Sequence, residues 1–183
     1  MLDRTEPSLL IAPPETDWQT VLAASVPALV LARPAPIDPA VALAAIEGCS
    51  RQVGTPDELQ AALRFLPPAL AADIDDLVRR FAALTGKPTV RLRLEAVDGD
   101  ACRKFHADYT DLRLVSTYAG PGTDICRTPA DDAPVHRIGT GDVALFKGKL
   151  FPGAPPVLLH RSPPIEGTGD RRVVLVLDTA DGG

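Results

Sequence analysis

The fold of this chain is decided by the stretch Val90-Arg91-Leu92-Arg93-Leu94-Glu95-Ala96. Apolar and charged side chains alternate there with a period of two, which predicts a strand that is buried on one face. The stretch also marks a change along the chain, because helical patterns precede residue 88 and strand patterns follow it. We therefore expect an α+β protein in which the helices come first.

Four segments before this strand carry helix signals, and they start at Thr16, Asp38, Thr55 and Pro67. The first and third have capping-box spacing, in which a threonine is followed three residues later by Gln or Glu. The second has proline at its first helical position. The fourth has a continuous apolar face and ends at Gly86, shortly before a proline. Residues 1–88 are therefore predicted to be mainly helical.

Several short strands are predicted after the first one, at residues 112–118, 142–147, 156–161 and 172–178. Turns rich in Gly, Asp and Pro separate them, which is typical of antiparallel sheets. An earlier apolar run at 28–32 could form an edge strand. We expect one domain over 1–183, with a helical half packed on a β-rich part at 89–179 that forms a small barrel or sandwich.

Composition excludes several classes of protein. Nineteen basic residues against 24 acidic ones give a formal net charge of −5, which argues against nucleic acid or an anionic membrane as partner. No apolar run approaches the roughly 18 residues of a membrane span, and the N-terminus lacks a signal-peptide pattern. The cysteines Cys49, Cys102 and Cys126 form no C-x-x-C pair and fit reduced thiols. We expect a cytoplasmic protein; the sequence leaves its oligomeric state and substrate open.

Two of the three histidines stand where they could bind a metal ion. His106 and Asp108 are two residues apart, so in an extended segment their side chains point to the same side. His160 follows three apolar residues at the end of a predicted strand. Two imidazoles and one carboxylate form the facial triad of non-haem Fe(II) oxygenases, which leaves coordination positions open. The pattern predicts a metal site, for Fe(II) or for Zn(II).

A basic pair follows the second histidine. Arg171 and Arg172 stand at the start of the last predicted strand. A guanidinium offers a fork that matches a carboxylate, so one of them could bind the far carboxylate of a metal-chelating keto acid such as 2-oxoglutarate. Strand alternation places the two side chains on opposite faces, and the sequence does not say which face is interior.

These residues carry two resemblances. The order H-x-D, distal His and downstream Arg resembles the iron and 2-oxoglutarate-dependent dioxygenases, which implies a cupin-like double-stranded β-helix (jelly roll) over about residues 90–178. Most of the chain is similar to a bacterial family catalogued as a domain of unknown function. That similarity rests on the motifs at 102–108, 117–123 and 160–164. An association of that family with metal homeostasis implies zinc.

Three functional hypotheses follow: an Fe(II)/2-oxoglutarate-type oxygenase, a non-catalytic zinc-binding protein, and a metal-free cupin-like binding module. In the last case His106 and Asp108 would form only a hydrogen bond that fixes a loop. Cys102 is expected to be a small core residue, with ligation as its alternative. His136 is expected at the surface. Four basic residues could line a pocket for an anionic substrate, namely Lys104, Arg113, Lys147 and Lys149.

Overall fold

A computed structural model describes residues 9–100, 102–128, 134–153 and 158–180. Within these ranges lie three α-helices, α1 (Pro39–Ala45), α2 (Pro56–Leu63) and α3 (Pro68–Thr85), and a 3₁₀ helix, Trp18–Leu22. The first five strands are β1 (Leu10–Ala12), β2 (Ala28–Leu31), β3 (Cys49–Gly54), β4 (Val90–Val97) and β5 (Leu112–Ala119). The others are β6 (Asp124–Cys126), β7 (His136–Arg137), β8 (Val143–Lys147), β9 (Leu159–Arg161) and β10 (Arg172–Thr179).

The strands form two sheets. The large sheet has the order β1-β2-β8-β5-β10-β4-β3, and the small sheet has the order β7-β6-β9. All strand pairs are antiparallel except β1 with β2. The protein is therefore a mixed α+β structure in which sheet predominates.

Helices cover the outer face of the large sheet. The apolar residues of β4, Leu92 and Leu94, belong to one buried cluster with Leu77 and Phe81 of α3. Full burial of one such side chain contributes about 1.5–3 kcal/mol. The helix ends at Gly86, whose φ of +64° is the left-handed conformation of a C-terminal cap.

The inner face of the large sheet packs on the small sheet. Val115, Val174 and Val176 from the large sheet share a second buried cluster with Ile125 of β6. The charged side chains of β4 alternate with its apolar ones and therefore point to this inner side. They belong to Arg91, Arg93 and Glu95. The sequence predicts that β4 is half-buried with one polar face, and in the structure that polar face lines the space between the two sheets.

The prediction that residues 1–88 are mainly helical is wrong. This half also supplies β1, β2 and β3, all of which join the large sheet. β2 is not an edge strand, since it lies between β1 and β8 with all four residues buried. β1 has only three residues, and β3 has the mostly polar sequence Cys-Ser-Arg-Gln-Val-Gly. Both are therefore too short or too polar for a periodicity argument to find.

Local signals performed better at the helix starts. The capping box of Thr55 and Glu58 is present at α2, and Asp38 caps α1 before a proline. The first start is wrong by one residue: Asp17, not Thr16, accepts a hydrogen bond from the Gln19 N–H at 3.0 Å, and the segment is 3₁₀. The predicted strand at 156–161 is observed as β9, while residues 156 and 157 lie outside the described ranges, as do the N-terminal residues 1–8.

No helix in the described ranges combines the length and the apolar character that crossing a membrane requires. The three cysteines are free thiols, of which Cys126 is buried while Cys49 and Cys102 are exposed. Cys102 is therefore not the core residue that the sequence favoured.

Candidate metal centre and cavity

The two histidines singled out by the sequence face each other across an antiparallel bridge. His106 lies in the loop between β4 and β5, and His160 lies in β9. Their ring centroids are 4.8 Å apart. The His160 ring is buried and stacks on Phe146 of β8, with centroids 4.7 Å apart, which restricts its orientation.

Asp108 completes the cluster from the same loop. Its Oδ1 lies 3.5 Å from His106 Nε2, and its Oδ2 lies 2.8 Å from His160 Nε2. One potential ligand atom from each of the three residues lies within 4.8 Å of the other two. The structure therefore brings together the three side chains that the sequence selected as metal ligands.

Two details of this cluster suit a cation. The Nδ1 of His106 lies 2.8 Å from the Lys104 carbonyl oxygen. A carbonyl can only accept, so Nδ1 carries the proton and Nε2 of the neutral ring keeps a free lone pair, as in metal-ligating histidines. Oδ2 of Asp108 is buried and accepts no aligned hydrogen bond from the described residues. A bound cation would satisfy that oxygen.

The charges around the cluster keep Asp108 ionised. Burial would raise the pKa of Asp108, but the adjacent His106 and His160 imidazoles and the Arg113 guanidinium hold it well below its usual range. The Asp108 carboxylate in turn raises the pKa of His106. Arg113 forms an ion pair with Asp108 and a bidentate one with Asp178, at 2.7 and 2.8 Å. The carboxylate is thus supplied as an anion and held in place from behind.

A cavity of about 290 Å³ opens beside the cluster, and His106 and His160 both line it. Its floor is the inner face of the large sheet, including Val115, Val174 and Val176. Cys102 lines it as well but is not a member of the three-residue cluster. Its volume lies just below the range of about 300–1,000 Å³ for small-molecule sites.

The structure separates the two candidate arginines. Arg172 has the same strand parity as Val174 and Val176, lines the cavity and is only 1% exposed, whereas Arg171 is exposed. The Arg172 guanidinium donates to the Pro121 carbonyl at 2.6 Å and to Ser162 Oγ at 2.7 Å. No carboxylate in the described ranges forms an ion pair with it, and burial lowers the pKa of Arg172 to about 10.

The Gly-Pro-Gly loop after β5 packs against Arg172 and supplies the Pro121 carbonyl that accepts from it. A Cβ on Gly120 would lie 2.1 Å from the Arg171 carbonyl oxygen, and φ at Gly120 is +74°. A Cβ on Gly122 would lie 1.9 Å from the Ile138 carbonyl oxygen. The loop is tight, and close backbone approach is the reason that it contains glycine.

Some of the other polar side chains lie where the sequence predicts, and others do not. His136 is exposed, as predicted, although it lies in the short strand β7. Arg113 lines the cavity, whereas the Lys147 ammonium donates to the Ala23 carbonyl at 2.7 Å and is not among the residues that line it. Tyr118 is buried with its hydroxyl bound to Asp73, and Tyr109 is exposed.

Sequence reasoning missed three arginines of the cavity, Arg51, Arg93 and Arg161. The sequence places Arg93 only on the polar side of the half-buried strand β4, and Arg51 lies in β3, which the sequence does not predict. The available signal was the spacing Arg91, Arg93, Glu95 on one strand face, which is unusually charged for a strand inside a two-sheet fold.

Fold and cluster together define a class: a two-sheet, jelly-roll-type protein with a candidate site of two histidines and one carboxylate. The chain belongs to the family described as "Protein of unknown function (DUF1826)", whose model matches residues 16–178. No curated protein matches the chain in sequence.

Solved structures of similar fold include proteins from plants and a fungus. The rice dioxygenase for auxin oxidation has a TM-score of 0.57 at 11% identity, covering 94% of this chain and 83% of its own. Dioxygenase for auxin oxidation 1 from Arabidopsis thaliana, in a binary complex with 2-oxoglutarate, has a TM-score of 0.55 at 10% identity, covering 94% and 92%. A C-terminally truncated protein from Neurospora crassa, solved in its apo form, has a TM-score of 0.51 at 13% identity, covering 97% and 96%. At these identities the likeness is one of fold.

Proposed function

We propose that this protein is an Fe(II)- and 2-oxoglutarate-dependent oxygenase whose metal ligands are His106, Asp108 and His160. One observation carries the proposal: a cluster of ligand type, with a buried carboxylate oxygen left unsatisfied, opens on a cavity that also contains a buried arginine without a carboxylate partner in the described chain. The cluster suits a cation, and the arginine suits an organic anion beside it.

The donor set suits a catalytic Fe(II) site. Two imidazoles and one carboxylate on one side of an ion leave positions for a chelating co-substrate and dioxygen. When bound there, Fe(II) supplies the redox chemistry by which decarboxylation of a keto acid is coupled to oxidation of a second substrate by dioxygen. The chain contributes position and charge. The main-chain carbonyl of Lys104 fixes the proton on His106 Nδ1, and the Arg113 guanidinium holds the Asp108 carboxylate.

Arg172 is the residue that we assign to the co-substrate. Burial of the Arg172 cation without a direct ion-pair partner is costly, and a ligand carboxylate in contact with it would offset that cost. The planar guanidinium can bind a carboxylate through two parallel hydrogen bonds. Ser162, whose Oγ accepts from Arg172 at 2.7 Å, has a hydroxyl proton that can be donated to the same carboxylate. Arg171, exposed on the other strand face, is not proposed to take part.

The solved structures of similar fold support this assignment at the level of the class of protein. The similar structures include dioxygenases, one of them in a complex with 2-oxoglutarate. We extend cofactor and co-substrate, but no substrate, from those proteins to this chain.

The test is to prepare the protein anaerobically, add Fe(II) and then 2-oxoglutarate, and record the weak visible charge-transfer band of a metal-chelated keto acid. We expect the band in the unmodified protein and in His136→Ala, and its loss together with bound iron in His106→Ala. His136→Ala is the matched control because it removes the exposed histidine. Iron that binds without any band would remove the keto acid from the proposal. Equal iron in His106→Ala and the unmodified protein would overturn the metal site.

Non-catalytic zinc binding uses the same three ligands, and the cluster geometry alone supports it equally. Metal analysis separates the two. Stoichiometric zinc that survives dialysis, with no oxygen consumption when Fe(II) and 2-oxoglutarate are supplied, would replace the oxygenase by a zinc protein.

A further inference from the structure

The cavity beside the candidate metal centre is strongly basic. Five arginines line it, Arg51, Arg93, Arg113, Arg161 and Arg172, whereas Glu95 is the single carboxylate among its described lining residues. This excess contrasts with the net charge of −5 of the whole chain. A basic cavity in an acidic protein concentrates anions locally.

Protein carboxylates neutralise part of this charge. Arg113 is paired with Asp108 and Asp178 behind the metal cluster. Arg161 donates to the buried Asp124 at 3.2 Å. Arg172 is assigned above to the keto acid. Two arginines of the lining, Arg51 and Arg93, are left without a strong partner.

Arg51 and Arg93 stand directly opposite each other on neighbouring antiparallel strands. They are register partners in the β3–β4 ladder, and both line the cavity. Like charges in this position repel and destabilise a sheet. Arg93 has only a long contact of 3.7 Å, to Glu95. Among the described residues, none forms an ion pair or a hydrogen bond with Arg51. An anion between the two guanidinium groups would convert this repulsion into attraction.

An apolar surface separates the arginine pair from the cluster. Val176 is the register partner of Arg93 on β10, and Val115 is in turn the partner of Val176 on β5. Both valines line the cavity. One row across the sheet therefore presents two cations at its β3 edge and apolar side chains farther in.

We propose that Arg51 and Arg93 bind the acidic group of the substrate that is oxidised, and that this substrate is a small organic acid with an apolar body. This inference rests on the proposed function for its reaction, but the binding itself requires neither metal nor turnover. The acid group, a carboxylate or a phosphate, lies at the β3 edge, and the apolar body lies on Val115 and Val176, directed toward His106 and His160. The cavity volume of about 290 Å³ restricts the substrate to a small molecule.

The experiment is calorimetric titration of the full-length protein with benzoate, phenyl phosphate and the uncharged analogue benzamide, with and without saturating 2-oxoglutarate. We expect benzoate or phenyl phosphate to bind in both conditions, and benzamide to bind at least about tenfold more weakly. In Arg51→Gln and in Arg93→Gln, anion affinity should fall about tenfold, as for loss of a charge-assisted hydrogen bond. Arg64→Gln, on the helical layer, is the matched control and should bind like the unmodified protein.

Three results would overturn the inference: no binding of either anion, equal binding of benzoate and benzamide, or anion affinity that survives in the Arg51→Gln/Arg93→Gln double variant. Competition by 2-oxoglutarate in that double variant would place the anion at Arg172 instead. A protein that binds benzoate through Arg51 and Arg93 but binds no 2-oxoglutarate would remove the proposed reaction and retain this site. The two failures are therefore distinguishable.

Discussion

His106 and His160 are joined through their main chains: each backbone N–H donates to the carbonyl of the other, at 3.0 and 2.9 Å. Two residues that exchange both hydrogen bonds in an antiparallel bridge present their side chains on the same side. The spacing of the two imidazoles is therefore set by backbone pairing and by the stack of His160 on Phe146. A site with this geometry is organised before an ion binds, which reduces the cost of binding.

Asp108→Asn should separate metal binding from folding. The amide has the shape of the carboxylate but lacks its charge, and Arg113 keeps its second partner, Asp178. We therefore expect a modest fall in Tm without metal, because the ionised carboxylate that Arg113 and the two imidazoles stabilise is lost, and loss of the Tm rise with metal. A ligand at about a hundred times its Kd stabilises a protein by about 2.7 kcal/mol. For a chain of this length that is a rise of about 5–10 °C.

The measurement is thermal unfolding with Mn²⁺ as an oxygen-stable substitute for Fe(II). His136→Ala should show the full rise. An undiminished rise in Asp108→Asn would contradict a role for this carboxylate in binding the ion.

Arg172→Lys should weaken 2-oxoglutarate binding. Lysine keeps the positive charge but loses the planar fork, and its shorter reach loses the hydrogen bonds to the Pro121 carbonyl and Ser162. We expect the Kd for 2-oxoglutarate to rise about tenfold or more, as for the loss of one charge-assisted hydrogen bond. Arg171→Lys is the control and should leave this Kd unchanged. Equal effects of the two substitutions would mean that neither arginine contacts the keto acid directly.

The sequence was sufficient for the cluster because local geometry carries most of the information there. The H-x-D spacing places two candidate ligands on one side of an extended segment, and the scarcity of histidine leaves few candidates for the third. It was insufficient for the arginines, since the choice between Arg171 and Arg172 depends on which strand face is interior. That choice is made by the packing of Val174 and Val176 on the small sheet.

The N-terminal half was misread for a related reason. Helix caps such as Thr55 with Glu58 are local signals and were found. β3 owes its conformation to pairing with β4 and not to its own periodicity, so its partner is needed to recognise it. Arg51, which β3 carries into the cavity, was missed with it.

Gly120→Ala should destabilise the fold more than Gly48→Ala. Both glycines have left-handed φ values, +74° and +64°, which cost an L-residue about 1–2 kcal/mol. Only at Gly120 would the new Cβ also collide with backbone, the Arg171 carbonyl oxygen. We expect losses in free energy of unfolding of about 1 kcal/mol for Gly48→Ala and about 3 kcal/mol or more for Gly120→Ala.

Denaturant unfolding of both variants checks this difference. Because Pro121 accepts from Arg172, Gly120→Ala should also weaken 2-oxoglutarate binding, whereas Gly48→Ala should not. Similar losses of stability in the two variants would mean that the loop shifts to accept the methyl group.

Tyr118→Phe tests the buried contact between the large sheet and α3, and its effect should depend on pH. The Tyr118 hydroxyl donates to Asp73 at 2.7 Å, and Arg33 binds the same carboxylate at 2.9 Å. Removing this charge-assisted hydrogen bond should cost about 1.5–3 kcal/mol at neutral pH. Burial, with the Asp73 carboxylate beside it, raises the pKa of Tyr118 well above its ordinary value of about 10.

The sign of the pH effect follows from which state keeps the phenol proton. Above about pH 10 the unfolded chain loses that proton while the native protein retains it, so native stability falls by about 1.4 kcal/mol per pH unit. Tyr118→Phe lacks this contribution, so the two proteins should converge in stability as pH rises from 10. Free energies of unfolding that stay a constant distance apart from pH 8 to pH 11 would show that Tyr118 ionises as readily in the native state as in the unfolded chain.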